Sequence, residues 1–205
     1  MSKKRLFYFG FFGLLVVGFF LVMSFLIPGF TDPPLRPIGQ IKPFRFTNQD
    51  GKIITEKDVQ NKVVAIEYFF TTCKGICPRM NNNLKPIHEA YKEEKDFLIL
   101  SHTCDPETDS VSRLRQYSDS FNVNTAQWMF LTGRKDSLYY MARHAYKIDD
   151  PGNNLNNIED DFLHTQFIAL MNRKGEVVKI YDGLKPSELS SMKKEIGQLL
   201  KNKRL

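Results

Sequence analysis

Cysteine is scarce in this chain. Only three occur in 205 residues, Cys73, Cys77 and Cys104, and an odd number excludes complete pairing within a monomer. Charge is absent from residues 6–27, LFYFGFFGLLVVGFFLVMSFLI. That run has no polar face, which excludes a helix buried in a soluble core on one side only. An A-x-A-like cleavage site is absent from SFLIPGF, which argues against a removed signal peptide. No cysteine stands near the end of the run to accept a lipoprotein-type lipid. Internal repeats and low-complexity tracts are also missing. The formal charge is +6, but Lys3, Lys4 and Arg5 account for half of it. The rest carries an ordinary mixed surface rather than the basic face of a nucleic-acid binder.

What is present begins with the apolar run itself. About 20 apolar residues cross the hydrocarbon core, so residues 6–27 are long enough to anchor the chain. The basic residues before the run predict a cytoplasmic N-terminus and an exported body. A run starting at residue 6 leaves no room for an Arg-rich transit peptide, so the expected membrane is the bacterial inner (cytoplasmic) one, with the body on its periplasmic or extracytoplasmic side. Residues 1–27 are read as tip and anchor. Residues 28–43 hold five prolines and read as a semi-rigid spacer. Residues 44–205 suit a single domain, with KKEIGQLLKNKRL as a solvated final helix.

Within the body, KVVAIEYFF (62–70) is a buried strand, DFLILSHT (96–103) a second and QWMFLTG (127–133) a third. Helices are expected over 78–95, with Pro78 in the first turn and Pro86 inside, over 108–121 from a capping Thr108, and over 135–146. TQFIALMN and EVVKIYDG flank Arg173-Lys174-Gly175 as a hairpin, and 186–201 closes with a helix. An N-terminal hairpin, FRFTNQDGKIIT, turns at Asp50-Gly51. Alternating strands and helices argue for an α/β fold with parallel strands and right-handed crossovers. KIDDPGNNLNNIEDDF (147–162) is too polar to pack and long enough to carry function.

The segment TTCKGICPRM (71–80) follows the first main strand and opens a helix, the position thioredoxin-like folds use for a cysteine pair. Pro78 disfavours a helical Cys77, so the helix is expected to begin at Pro78 with Cys77 at its lip. The positive end of the helix dipole and Lys74 would both favour thiolate. Thiolate serves disulfide exchange and metal ligation alike. Three intervening residues rather than two still permit a disulfide, and they leave room for one soft cation such as Cu(I), zinc or an iron–sulfur site. A third ligand would complete a three-coordinate Cu(I) site. Of the four histidines, His88 and His144 read as ordinary surface or core residues. His102 ends the second strand at the same sheet edge as Cys73 and remains a candidate. His164, between the acidic loop and the hairpin, is where a mobile segment could deliver a ligand.

In the order FFTTCKGICPRM, TCDPETDS, WMFLTG and FLHTQFIALMNRKGEVV, the chain resembles the Sco/SenC family of copper-binding, thioredoxin-like proteins over about residues 36–200. The resemblance implies a thioredoxin-like domain on one N-terminal transmembrane helix. It implies copper, as Cu(I) or Cu(II), held by Cys73, Cys77 and His164, with Cys73 and Cys77 also redox-active. It further implies help in assembling the binuclear copper centre of cytochrome c oxidase, whose copper-receiving subunit and thiol–disulfide reductants would be the partners. Asp105, Pro106 and Asp109 match the family's acidic loop, structural or partner-facing. Lys74 and Gly75 depart from the Pro and acidic residue common between the family's cysteines, which makes the site more positive. Cys104 lies outside the usual motif and reads either as a small buried residue or as a thiol able to trap Cys73 or Cys77. The second functional reading is a thiol–disulfide oxidoreductase; no catalytic turnover is implied by the copper role.

Overall fold

Helix α1, Lys3–Leu26, buries none of its residues within the structure. At 1.5 Å per residue its 24 residues are long enough, and apolar enough, to cross a membrane. The computed structural model describes residues 2–26, 36–149, 163 and 165–201, and the chain divides into two units, Met1–Leu35 and Arg36–Leu205.

The second unit is built on one mixed sheet. Its strands are β1 (Gly39–Gln40), β2 (Arg45–Asn48), β3 (Ile53–Thr55), β4 (Val63–Phe69), β5 (Phe97–Thr103), β6 (Trp128–Thr132), β7 (Phe167–Met171) and β8 (Glu176–Asp182). They lie in the order β1-β8-β7-β4-β5-β6-β2-β3. β4, β5 and β6 are mutually parallel, joined by α2 (Ile76–Ala90) and α3 (Val111–Phe121), as a continuously apolar strand pattern demands. β2 and β7 flank them antiparallel. Helix α4 (Lys135–Tyr140) runs into a π turn at Met141–Ala145, and α5 is Pro186–Lys201.

β4 is buried along its whole length, and its alternation feeds two core layers. Val63, Ala65 and Phe69 meet Cys77, Met80 and Leu84 of α2, Leu114 of α3 and Met192 of α5. Val64, Ile66 and Tyr68 meet Leu138, Tyr139 and Tyr146 from the α4 region. Phe69 pairs with Thr103 at the C-terminal ends of β4 and β5, so the loops that follow these strands lie side by side. That is where parallel α/β sheets place their sites.

Three expectations need correction. Helix α2 starts at Ile76 and ends at Ala90, so Cys77 is inside the first turn. Pro78 falls among the first four residues, whose N–H groups have no helical acceptor anyway, and burial of Cys77 overrides the preference against a helical residue before proline. Helix α3 starts at Val111, because Ser110 rather than Thr108 caps it, accepting from Arg113 N–H at 3.4 Å. Residues 38–41, inside the stretch read as a spacer, join the sheet: Ile38 N–H donates to Val177 and Ile41 N–H to Gly175, both at 2.8 Å. The Asp50-Gly51 turn forms as expected. Gly51 takes φ +76°, and Asn48 Oδ1 accepts from Asp50 and Lys52 N–H at 3.0 and 2.8 Å.

Candidate metal and redox site

The site begins where β4 ends. After Phe69 the chain turns, Cys73 N–H donating to the Phe70 carbonyl at 3.2 Å, and reaches α2 at Ile76. Cys73 is half-buried and Cys77 is 3% exposed. Both are free thiols, and each acts on the other's proton, Cys77 lowering Cys73 and Cys73 raising Cys77. The structure therefore brings the two sulfurs together, and it makes them unequal. Burial pushes the Cys73 thiol up, but the Cys77 thiol and the backbone N–H groups of Cys77, Gly75 and Ile76 together outweigh it, leaving Cys73 below its ordinary value. Burial pushes Cys77 up to about 12, and the neighbouring Cys73 and Glu67 add to that. The expectation that both thiols would be activated is thus corrected. The helix N-terminus serves Cys73, and Lys74 is not among the causes acting on either sulfur.

The preceding turn is braced by Asp109, which is fully buried. Its carboxylate accepts from Thr71 N–H at 3.1 Å and Thr103 Oγ1 at 2.6 Å, and from Thr71 Oγ1. Arg113 Nε donates to Thr71 Oγ1 at 2.7 Å. Thr71 stands two residues before Cys73, so the D-P-x-x-D stretch fixes the loop from which Cys73 projects. Asp105 belongs to the same turn, its N–H donating to Thr103 Oγ1 at 2.9 Å.

Cys104 is 2% exposed and lies in the core layer opposite to Cys77. Its thiol donates to the Phe69 carbonyl at 3.2 Å, and burial pushes that thiol well above its ordinary range. It is a small buried residue at a strand end. His102 is fully buried among Phe44, Phe46, Tyr68 and Tyr146, with ring centroids 5.1–6.4 Å away. It stands in the layer opposite to Cys77, so it is a core residue and not a ligand of the cysteine site. His88 is buried beside Trp128 at 5.7 Å, and His144 is exposed and packs on Tyr140 at 4.8 Å.

His164 lies outside the described residues, as do residues 150–162 of the polar loop. Its neighbours are described. Leu163 N–H donates to Tyr139 Oη at 3.1 Å, and that hydroxyl donates to the Cys104 carbonyl at 2.7 Å. Thr165 Oγ1 donates to the Ile148 carbonyl at 3.1 Å. Cys104 N–H in turn donates to the Phe69 carbonyl at 2.9 Å, so Leu163 is tied to the sheet end from which the cysteine loop leaves. Among the described residues no three His, Cys, Asp or Glu side chains are grouped to hold a metal. Two free thiols at one helix head, the more exposed one lowered in pKa, are the donor chemistry that soft cations select.

Reading the sequence for sites missed the polar residues under the pair. Glu67, Asn81 and Ser101 are fully buried and Tyr117 is half-buried. The signal was a carboxylate in the middle of VVAIEYFF, where a strand buried on both faces should carry none.

Residues 36–201 match the family model described as SCO1/SenC. The SCO1 protein homolog of Bacillus subtilis is 30% identical over 149 residues, covering 71% of this chain and 75% of that protein. BsSco, described as a member of the Sco family of cytochrome c oxidase assembly proteins with a disulfide switch, superposes with a TM-score of 0.68 at 25% identity, over 82% of this chain and 97% of that one. ScoI of Arabidopsis thaliana, solved with copper bound, gives a TM-score of 0.61 at 28% identity, over 78% and 99%. The thioredoxin-like fold expected from the strand–cysteine–helix order is the fold these neighbours share.

Proposed function

Because this chain belongs to the SCO1/SenC family, we propose that it is a membrane-anchored copper chaperone whose cargo is held by Cys73, Cys77 and His164 and passed to the copper-receiving subunit of cytochrome c oxidase. The observation that carries this reading is the pair of free thiols at the head of α2, half-buried Cys73 and buried Cys77. Cys73, lowered by the helix N-terminus, gives up its proton more readily than Cys77. Cys77 releases its proton as copper binds, so uptake is linked to proton release. The tethers of Leu163 and Thr165 on either side of residue 164 support His164 as the third ligand. Residues 6–27 would hold the protein in the bacterial inner membrane with the domain on the extracytoplasmic side, within reach of thiol–disulfide reductants that keep the pair open.

The inequality of the two thiols favours a second reading. An accessible, low-value Cys73 with a buried protonated Cys77 is the arrangement of an attacking and a resolving thiol, suited to reducing partner disulfides. His164 separates the two readings, since disulfide exchange gives it no role. The full-length protein, reduced and held in detergent, is expected to bind close to one equivalent of Cu(I) in competition with a chromophoric chelator. Cys73→Ala and Cys77→Ala lose that binding, and His164→Ala weakens it about tenfold or more. Undiminished affinity in His164→Ala, together with high disulfide reductase activity, would move the assignment to the oxidoreductase.

A further inference from the structure

Lys74 and Gly75 stand between the two cysteines, and the chemistry of the sulfurs gives neither of them a task. Lys74 is not among the causes acting on either thiol, and it is exposed. Gly75 is exposed too, and nothing lies within 4 Å of the place a Cβ on it would take. The crest of the loop beside half-buried Cys73 is therefore open, and a large partner can approach its backbone closely.

Two more cations edge this opening. Arg113 is fastened to the cysteine loop directly. Its Nε donates to Thr71 Oγ1 at 2.7 Å, two residues before Cys73, while 45% of its side chain stays exposed. Arg79 is exposed in the first turn of α2, and helical side chains lean toward the N-terminus of their helix, here toward the 73–75 loop. Carboxylates at this end of the sheet are mostly engaged. Asp109 is fully buried and accepts from Thr71 and Thr103. Asp105 is half-buried and accepts from Thr108 N–H at 3.4 Å, which leaves Glu107 as the exposed acid of the neighbouring loop. Among the described residues no carboxylate pairs with Lys74 or Arg79.

We propose that Lys74, Arg79 and Arg113 form a cationic mouth that selects the partners of the site by charge: the proteins that meet Cys73 carry carboxylates beside the thiols or disulfide they offer. This rests on the reading of Cys73 as the sulfur through which the site meets its partners, a premise the chaperone and the oxidoreductase share, and it needs no copper. Exposed charges at a mouth act mainly on encounter. They steer a partner of opposite sign and repel one of like sign, and salt screens both effects beyond about 10 Å at 0.1 M.

The test uses two small disulfides of opposite charge, oxidised glutathione and cystamine, on the reduced full-length protein in non-ionic detergent at one pH. The Cys73 thiolate attacks one sulfur of the probe, the probe's S–S bond breaks, and one half leaves as thiolate. The other half stays on Cys73 as a mixed disulfide, or the Cys77 thiol displaces it, closing the Cys73–Cys77 bond while its proton leaves with the second half as thiol. Rates are read by mass spectrometry as loss of the reduced protein. Raising salt from about 20 mM to about 500 mM should slow oxidised glutathione and speed cystamine, so that the ratio of the two rates falls about threefold or more. Taking the ratio cancels any change in Cys73 itself. Lys74→Gln with Arg79→Gln should remove most of that fall, Arg113 being left in place because it also braces Thr71. Lys193→Gln with Lys194→Gln makes the same change in net charge at the other end of α2, where Tyr91 donates to the Lys193 carbonyl, and should keep the fall. A ratio that salt leaves unmoved in wild type overturns the proposal, as does a near pair that alters it no more than the distant pair. Copper enters neither measurement, so failure here leaves the chaperone reading standing, and the Cu(I) titration can fail without touching this one.

Discussion

At the scale of single residues, Asp109 decides how well Cys73 is presented. It accepts from the Thr71 backbone and from both Thr71 and Thr103 hydroxyls, at a site closed to water. Asp109→Ala would leave these donors unmet. Hydrogen bonds to a buried charged group contribute about 1.5–3 kcal/mol, so a loss of roughly 3 kcal/mol is expected, seen as a lower urea midpoint with an unchanged m-value. Alkylation of Cys73 should then lose its selectivity over Cys104 as the 70–75 loop loosens. An unchanged midpoint would mean that water replaces the carboxylate at no cost. The residues that carry chemistry were partly legible in the sequence. Cys73 and Cys77 announce themselves by spacing, and the D-P-x-x-D stretch by its resemblance to the family's acidic loop, although nothing local said that Asp109 points inward. Glu67 reads as a plain strand member and His102 as a strand-end candidate ligand, because burial on both faces is a property of the sheet and not of the local sequence. A strand pattern does not reveal which interior polar group will find partners: Glu67 has Ser101 and Asn81, whereas both His102 nitrogens lack any among the described residues.

At the scale of elements, the sequence reading succeeds where periodicity is local and fails where pairing is distant. β4, β5 and β6 and their crossover helices follow from apolar runs and helical spacing, although α2 starts at Ile76 and α3 at Val111 rather than where the sequence reading begins them. β1 does not, because two residues at the end of a proline-rich stretch carry no pattern, and only β8 makes them a strand. Gly39 is the residue that allows it. A Cβ there would collide with the Ala145 carbonyl and lie 3.1 Å from Lys147 Cγ. Backbone cannot yield as a flexible side chain can, so Gly39→Ala should lift β1 from the π turn and cost about 1–3 kcal/mol. Hydrogen exchange should show Ile38 and Ile41 N–H losing protection while the N–H groups of β5 keep theirs. Loss of protection throughout the sheet would instead place β1 in the main folding unit. The π turn itself was unreadable for a related reason. Tyr146 N–H donates to the Met141 carbonyl at 2.8 Å and Ile148 N–H to Ala142 at 3.1 Å. That wider winding keeps Tyr146 against His102 in the core, a tertiary demand with no local signature.

At the scale of the whole molecule, two buried titratable groups bend stability with pH in opposite directions. Burial lowers His102 to about 3, whereas the unfolded chain takes up that proton near 6.5. The unfolded state therefore binds more protons as pH falls from about 6.5 toward 3, and His102 withdraws stability on acidification. Glu67 acts in the other sense. Raised to about 8 by burial, it keeps its proton in the folded state while the unfolded chain has lost it above about 4.5, so stability falls as pH rises toward 8. Between about pH 4.5 and 6.5 the two slopes cancel, each being about 1.4 kcal/mol per pH unit for one proton. Urea midpoints should therefore be flattest in that window and decline on both sides. His102→Phe, which keeps an aromatic ring among Phe46, Tyr68 and Tyr146, should make the acid limb shallower by one proton and leave the alkaline limb alone. Glu67→Gln should do the reverse. An acid limb of unchanged slope in His102→Phe would show that His102 takes up its proton in the folded protein, which would require the aromatic box to open to water before the sheet melts.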